Sequence, residues 1–84
     1  MTTYNGYESW DHWNTALWLN NDEKLYSMMM EEVEQAVYKQ QSIADAVGSI
    51  IKQLPEQTPD GAVWQGATIT ELFLENYNEM LQHS

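Results

Sequence analysis

The sequence predicts an all-α domain, a compact bundle of about four helices formed by residues 1–84 as one acidic unit. Three observations predict it. Apolar residues recur at spacings of three and four in four separate stretches, the period of a helix with one buried side. No stretch alternates apolar and polar residues with comparable regularity. Both prolines and two of the four glycines fall in one segment, PEQTPDGAVWQG at 55–66, so most of the chain is free of helix breakers.

The first helix opens at Ser9, whose hydroxyl suits an N-cap, and is expected to run to about Asn20 with Trp10, Trp13 and Leu17 on its inward side. Ala16 and Trp18 widen that side. Asn20, Asn21 and Asp22 bond readily to nearby backbone, which ends one helix and caps the next, and Asp22 is the expected N-cap of the second. That helix spans Glu23 to about Gln40, with Tyr26, Met29, Met30, Val33, Ala36 and Val37 as its apolar stripe and Glu31, Glu32, Glu34 and Lys39 mainly outside it. Ser42 and Asp45 resemble a capping box ahead of Ile43, Ala46, Val47, Ile50, Ile51 and Leu54, a third helix over 42–54 stopped by Pro55. Spacing alone leaves open whether the second and third helices are separated at Gln40 and Gln41 or form one bent rod. In the loop, Pro-Asp-Gly is a turn signal, and Trp64 is expected to fold back onto the helices. The last helix is expected from Thr68 or Thr70, burying Ile69, Leu72, Phe73, Tyr77, Met80 and Leu81.

A domain of 84 residues has a thin margin of stability unless bulky side chains fill it. Four tryptophans, five tyrosines and five methionines supply that bulk, so the aromatic run YESWDHWNTALWLNNDE at 7–23 reads first as core plus a helix joint. Cysteine is absent, which removes disulfides and thiolate chemistry. The amino-terminal MTTYNGYESWDHW lacks the basic flank and apolar run of a signal peptide, and no stretch approaches the roughly 20 apolar residues of a membrane span. A soluble protein of a reducing compartment is the expectation.

Thirteen acidic residues against Lys24, Lys39 and Lys52, with no arginine, give a formal charge of −10. Such a chain is repelled by nucleic acid and by anionic membranes and is drawn to basic surfaces, unless the charge serves only solubility. The lysines are too few and scattered for a nucleic-acid footprint. Glu8 and His12, four apart with Asp11 beside them, point only weakly to a metal or acid–base pair, because a zinc site needs three or four ligands and the other histidine, His83, lies at the carboxyl end. No phosphate loop, nucleophile elbow or calcium loop occurs. Neither a catalytic residue nor a cofactor or metal site is expected, and the chain reads as a non-enzyme.

Two features suit a binding surface. Among Met28, Met29 and Met30, which point about 100° apart on a helix, Met28 is placed at the rim, in reach of a second copy of the chain or another partner. Glu71, Glu75 and Glu79 stack along one edge of the last helix with a rise of about 6 Å between them and no basic residue in that helix to neutralise them. Like charges so placed cost about 0.2–0.5 kcal/mol per pair. Duplex DNA carries a charge per about 1.7 Å, so one such row copies it poorly, and carboxylates of the second helix or of a second subunit must extend it.

The run at 4–26, through Tyr7, Glu8, Trp10, Leu17, Trp18, Asn21, Asp22 and Tyr26, resembles a group of small phage and plasmid proteins with an amino-terminal signature Y-E-T-W-x-x-x-L-W-[IL]-x-N-[DE]-x-x-x-Y. Ser9 replaces the threonine, and DHW alters the spacing after the first tryptophan. Small acidic proteins in that setting often inhibit host defence, as anti-CRISPR and anti-restriction proteins do. The resemblance therefore implies an inhibitor in the host cytoplasm that binds a basic surface of a host nuclease or CRISPR complex. Glu31, Glu34, Glu71, Glu75 and Glu79 are its expected contacts, with homodimerisation left open. The alternative is an interaction module with apolar contacts through Met28, Trp18 or Trp64.

Overall fold

The computed structural model describes residues 6–83; Tyr4 and Asn5, which open the run that carries the resemblance, lie outside them with the rest of the amino-terminal five residues and Ser84. The described chain forms α1 (Trp10–Asn21), α2 (Glu23–Lys39), α3 (Ile43–Gln53) and α4 (Gly66–Gln82), and no strand. The all-α expectation is met. α2 and α4 form the central pair, and α1 and α3 each pack on both without approaching one another closely.

Local chemistry sets most helix ends. Ser9 is extended and its hydroxyl accepts from His12 N–H, and Ser42 does the same for Asp45 N–H at 3.1 Å. Asp22 serves two helices: its N–H donates to Trp18 C=O at 3.0 Å, while its carboxylate accepts from Leu25 N–H at 3.0 Å. One residue thus turns the chain between α1 and α2. Gln40, at φ 54° and ψ 36°, ends α2 in the left-handed conformation, so α2 and α3 are separate helices rather than one bent rod. α4 starts before Thr68 and Thr70, at Gly66, because Thr70 does not cap; its hydroxyl donates back to Gly66 C=O at 2.9 Å.

One apolar core serves all four helices. Leu19, Met29, Val33, Ile50, Ile69 and Phe73 are fully buried, with Ala16, Ala36, Ala46, Val47 and Leu72 beside them. Trp64 and Met28 pack partly buried against this core, and the Phe73 and Tyr77 rings stack 5.9 Å apart.

Several expected inward residues face out. Tyr26, Ile51 and Leu81 are 40%, 46% and 46% exposed, each at the edge of its stripe. In α1 the departure is larger: Trp10 is exposed, Trp13 and Leu17 are half-buried, and the buried residues are Asn14, Thr15, Ala16 and Leu19. Apolar residues occupy much of the circumference of α1, so periodicity selects no single face, and the polar pair is buried because the 54–65 connection supplies its hydrogen-bond partners. Glu32, expected outside the stripe, is also buried; its Oε2 accepts from Gln53 Nε2 of α3 at 3.1 Å.

Candidate functional site

The polar pair on α1 organises the long connection. Thr58 Oγ1 donates to Asn14 Oδ1 at 2.6 Å and accepts from Ala62 N–H at 2.9 Å, closing the Pro59-Asp60-Gly61 turn from inside. Asp60 Oδ2 accepts from both Asn14 Nδ2 and Trp18 Nε1, at 2.8 and 2.9 Å, and Thr15 Oγ1 accepts from Gln65 N–H at 3.0 Å. The Asn14 bond first, and the Trp18 bond second, hold the Asp60 carboxyl below its ordinary pKa by stabilising the anion. Gly61, at φ +90°, supplies the conformation that this turn requires. Trp18 is thereby a hydrogen-bond donor to the connection, and Trp64, within the connection, packs on the core. Trp18 also borders a hollow of about 380 Å³ with Leu17, Asn21, Asp22 and Glu23, so it keeps an outward apolar surface beside its internal hydrogen bond.

Glu31, Glu34, Glu71, Glu75 and Glu79 are all exposed. Among the described residues, the ion pair between Glu8 and His12 is the only one, at 3.5 Å, and no lysine reaches a carboxylate. The five side chains do not form one continuous row. Glu79 borders a hollow of about 240 Å³ between α2 and α4, whose other walls include Tyr26, Met30, Asn76, Met80 and His83. Glu31 and Glu34 border a second hollow of about 360 Å³ on the other side of the same Tyr26 and Met30. Because the start of α2 lies beside the end of α4, three of the five carboxylates therefore surround one apolar ridge. Glu71 instead borders a smaller hollow of about 160 Å³ with Glu8 and His12, and Glu75 lies one helical turn from both Glu71 and Glu79.

His12 is held by its own turn: Nδ1 is 2.7 Å from Ser9 Oγ and Nε2 faces Glu8. No group of three or more potential ligands stands at metal-holding distance among the described residues. A separate hollow of about 450 Å³ between α3 and the start of α4 is lined by Ile43, Ala44, Val47, Gly48, Ile51, Gly66 and Thr70, with no charged side chain. No helix among the described residues is long and apolar enough to cross a membrane. The Tyr26–Met30 ridge is not legible in the sequence, whose periodicity assigns both residues to the core; the signal available is the recurrence of glutamate at 31 and 34, next to that stripe.

No curated protein and no solved structure matches the chain. The family model of DUF7249, a family of unknown function, matches residues 1–84, the full sequence, and the chain belongs to that family.

Proposed function

We propose that this chain is a binding protein of a phage or other mobile element that inhibits a host nucleic-acid-directed defence system, of the anti-CRISPR type, in the host cytoplasm. It acts by occupancy and not by catalysis: its acidic face seats on a basic surface that otherwise holds nucleic acid or surrounds a catalytic centre. The observation that supports this reading is the set of exposed glutamates at 31, 34, 71, 75 and 79 in a chain of charge −10, none of them paired with a lysine. Unpaired surface carboxylates repel one another and gain most from a cationic partner, which they also steer toward at long range. Their spacing is sparser than that of duplex phosphates, so occlusion of a basic groove fits better than faithful imitation of its ligand.

The reading is tested in strains that each carry one defined CRISPR or restriction system. Expression of the chain is expected to restore phage plating in at least one of them. Reversing Glu71, Glu75 and Glu79 to lysine is expected to abolish that protection with helicity unchanged. Protection in none of the strains, or protection that survives the triple reversal, overturns the electrostatic reading.

A second reading is the interaction module with apolar contacts through Met28, Trp18 or Trp64, to which the structure adds a further apolar surface. The uncharged hollow beside Ile51 favours it, and its signature is an affinity that barely changes with salt.

A further inference from the structure

We propose that the Tyr26–Met30 ridge receives an arginine side chain from a basic segment of a partner protein; this rests on the acidic-face reading above and names one contact within it. The apolar stripe of α2 predicts a buried Tyr26, yet the side chain is 40% exposed. Carboxylates stand near it among other groups: Glu79, with Asn76 and His83, at the α2–α4 hollow, and Glu31 and Glu34 at the second hollow that shares Tyr26 and Met30. Met30 and Met80 are half-buried and give the α2–α4 hollow an apolar floor.

This combination restricts the occupant. An anion is repelled by unpaired carboxylates on both flanks, and a purely apolar group leaves them desolvated without a partner. A cation with a hydrocarbon stem satisfies both parts, its stem on the methionines and its charge between the carboxylates. The hollow beside Glu79, at about 240 Å³, is below the range of about 300–1,000 Å³ typical of small-molecule sites, so it suits one side chain rather than a cofactor. Arginine fits better than lysine. Its guanidinium is planar, weakly hydrated, stacks on a tyrosine face and pairs with carboxylates through a fork, whereas an ammonium is a compact, strongly hydrated charge. Methionine adapts its shape to such a stem at little cost.

The probes are fluorescein-labelled hexa-arginine, hexa-lysine and hexa-citrulline, followed by anisotropy at about 0.15 M NaCl, near physiological ionic strength. Hexa-arginine is expected to bind more tightly than hexa-lysine, and hexa-citrulline not to bind. Tyr26→Leu, which leaves the charge unchanged, is expected to weaken hexa-arginine about two- to fivefold and to narrow its advantage over hexa-lysine, while Tyr26→Phe retains it. Glu56→Gln, in the connection after α3 and outside both hollows, is expected to leave the preference for hexa-arginine over hexa-lysine unchanged. In spectra of methyl-labelled methionine, hexa-arginine is expected to shift Met30 and Met80 but not the buried Met29, a readout that stands even if Tyr26→Leu does not fold. Equal affinities for the two cationic peptides, an unchanged preference in a folded Tyr26→Leu, or unmoved Met30 and Met80 resonances overturn the arginine contact at the Tyr26–Met30 ridge. If binding is then still lost on changing Glu71, Glu75 and Glu79 to glutamine, the acidic-face reading survives without the arginine contact. Absence of binding by either cationic peptide overturns both.

Discussion

Asn14 and Asp60, 46 residues apart in the chain, are joined by a 2.8 Å hydrogen bond from the Asn14 amide to Asp60 Oδ2. Asn14 is buried, and its carbonyl oxygen is taken up at the same time by the Thr58 hydroxyl. A polar residue in the middle of α1 thus holds the α3–α4 connection against the bundle, and the stability of the connection is inseparable from that of the first helix.

Thr58→Val tests this. The valine keeps the shape but leaves Asn14 Oδ1 without its donor and Ala62 N–H without its acceptor, both in buried surroundings. A loss of about 1–3 kcal/mol is expected in urea denaturation. A variant as stable as the original would mean that the Thr58 bonds add nothing net.

The pH dependence of the same clamp has a definite sign. The Asp60 carboxyl is held below its ordinary pKa in the folded chain, so the unfolded chain takes up its proton first as pH falls. The contribution of the clamp is complete above the unfolded carboxylate value, near pH 4, and is lost as pH drops toward and through the lower folded value. The difference in melting temperature between the original chain and Asp60→Ala is therefore expected to be constant near neutrality and to shrink on acidification. A difference that widens on acidification contradicts the assignment.

Salt is expected to stabilise this protein. With a charge of −10 and a single, partly exposed ion pair among the described residues, screening removes more repulsion than attraction. Raising NaCl from about 0.02 to about 0.5 M shortens the range of repulsion several-fold, and each kcal/mol relieved lifts the melting temperature by about 4–8 °C in a domain of this size. A melting temperature that falls with NaCl would point to cationic neighbours for those carboxylates.

Gln40→Gly is expected to raise stability. Gln40 holds φ 54°, a conformation that costs an L-residue about 1–2 kcal/mol and glycine almost nothing. The greater freedom of glycine in the unfolded chain offsets part of this, leaving a gain of about 0.5–1 kcal/mol, measurable as a shift of the urea midpoint with an unchanged slope.

The helix ends set by Ser9, Asp22 and Ser42 are legible in the sequence because each cap acts within three residues of itself. What is not legible depends on partners far along the chain. Asn14 and Thr15 are inward only because Thr58, Asp60 and Gln65 come to meet them, and Glu32 is inward only because Gln53 on α3 does. The exposure of Glu71, Glu75 and Glu79 follows from their place off the apolar stripe of Ile69, Leu72 and Phe73. The placing of Glu71 and Glu79 at separate hollows does not, since it depends on the segment around Glu8 and His12 lying beside the start of α4 and the start of α2 beside its end. Tyr26 belongs to the same class: periodicity places it on the apolar stripe of α2, but its position one turn from the start of that helix puts it at the rim.

The clamp between α1 and the connection also fixes an order of events during synthesis. A chain leaving the ribosome amino end first presents Asn14, Thr15 and Trp18 long before Thr58, Asp60 and Gln65 exist to receive them. The polar inward side of the first helix is answered only by water until the chain has been extended through Thr58 and Asp60 to Gln65.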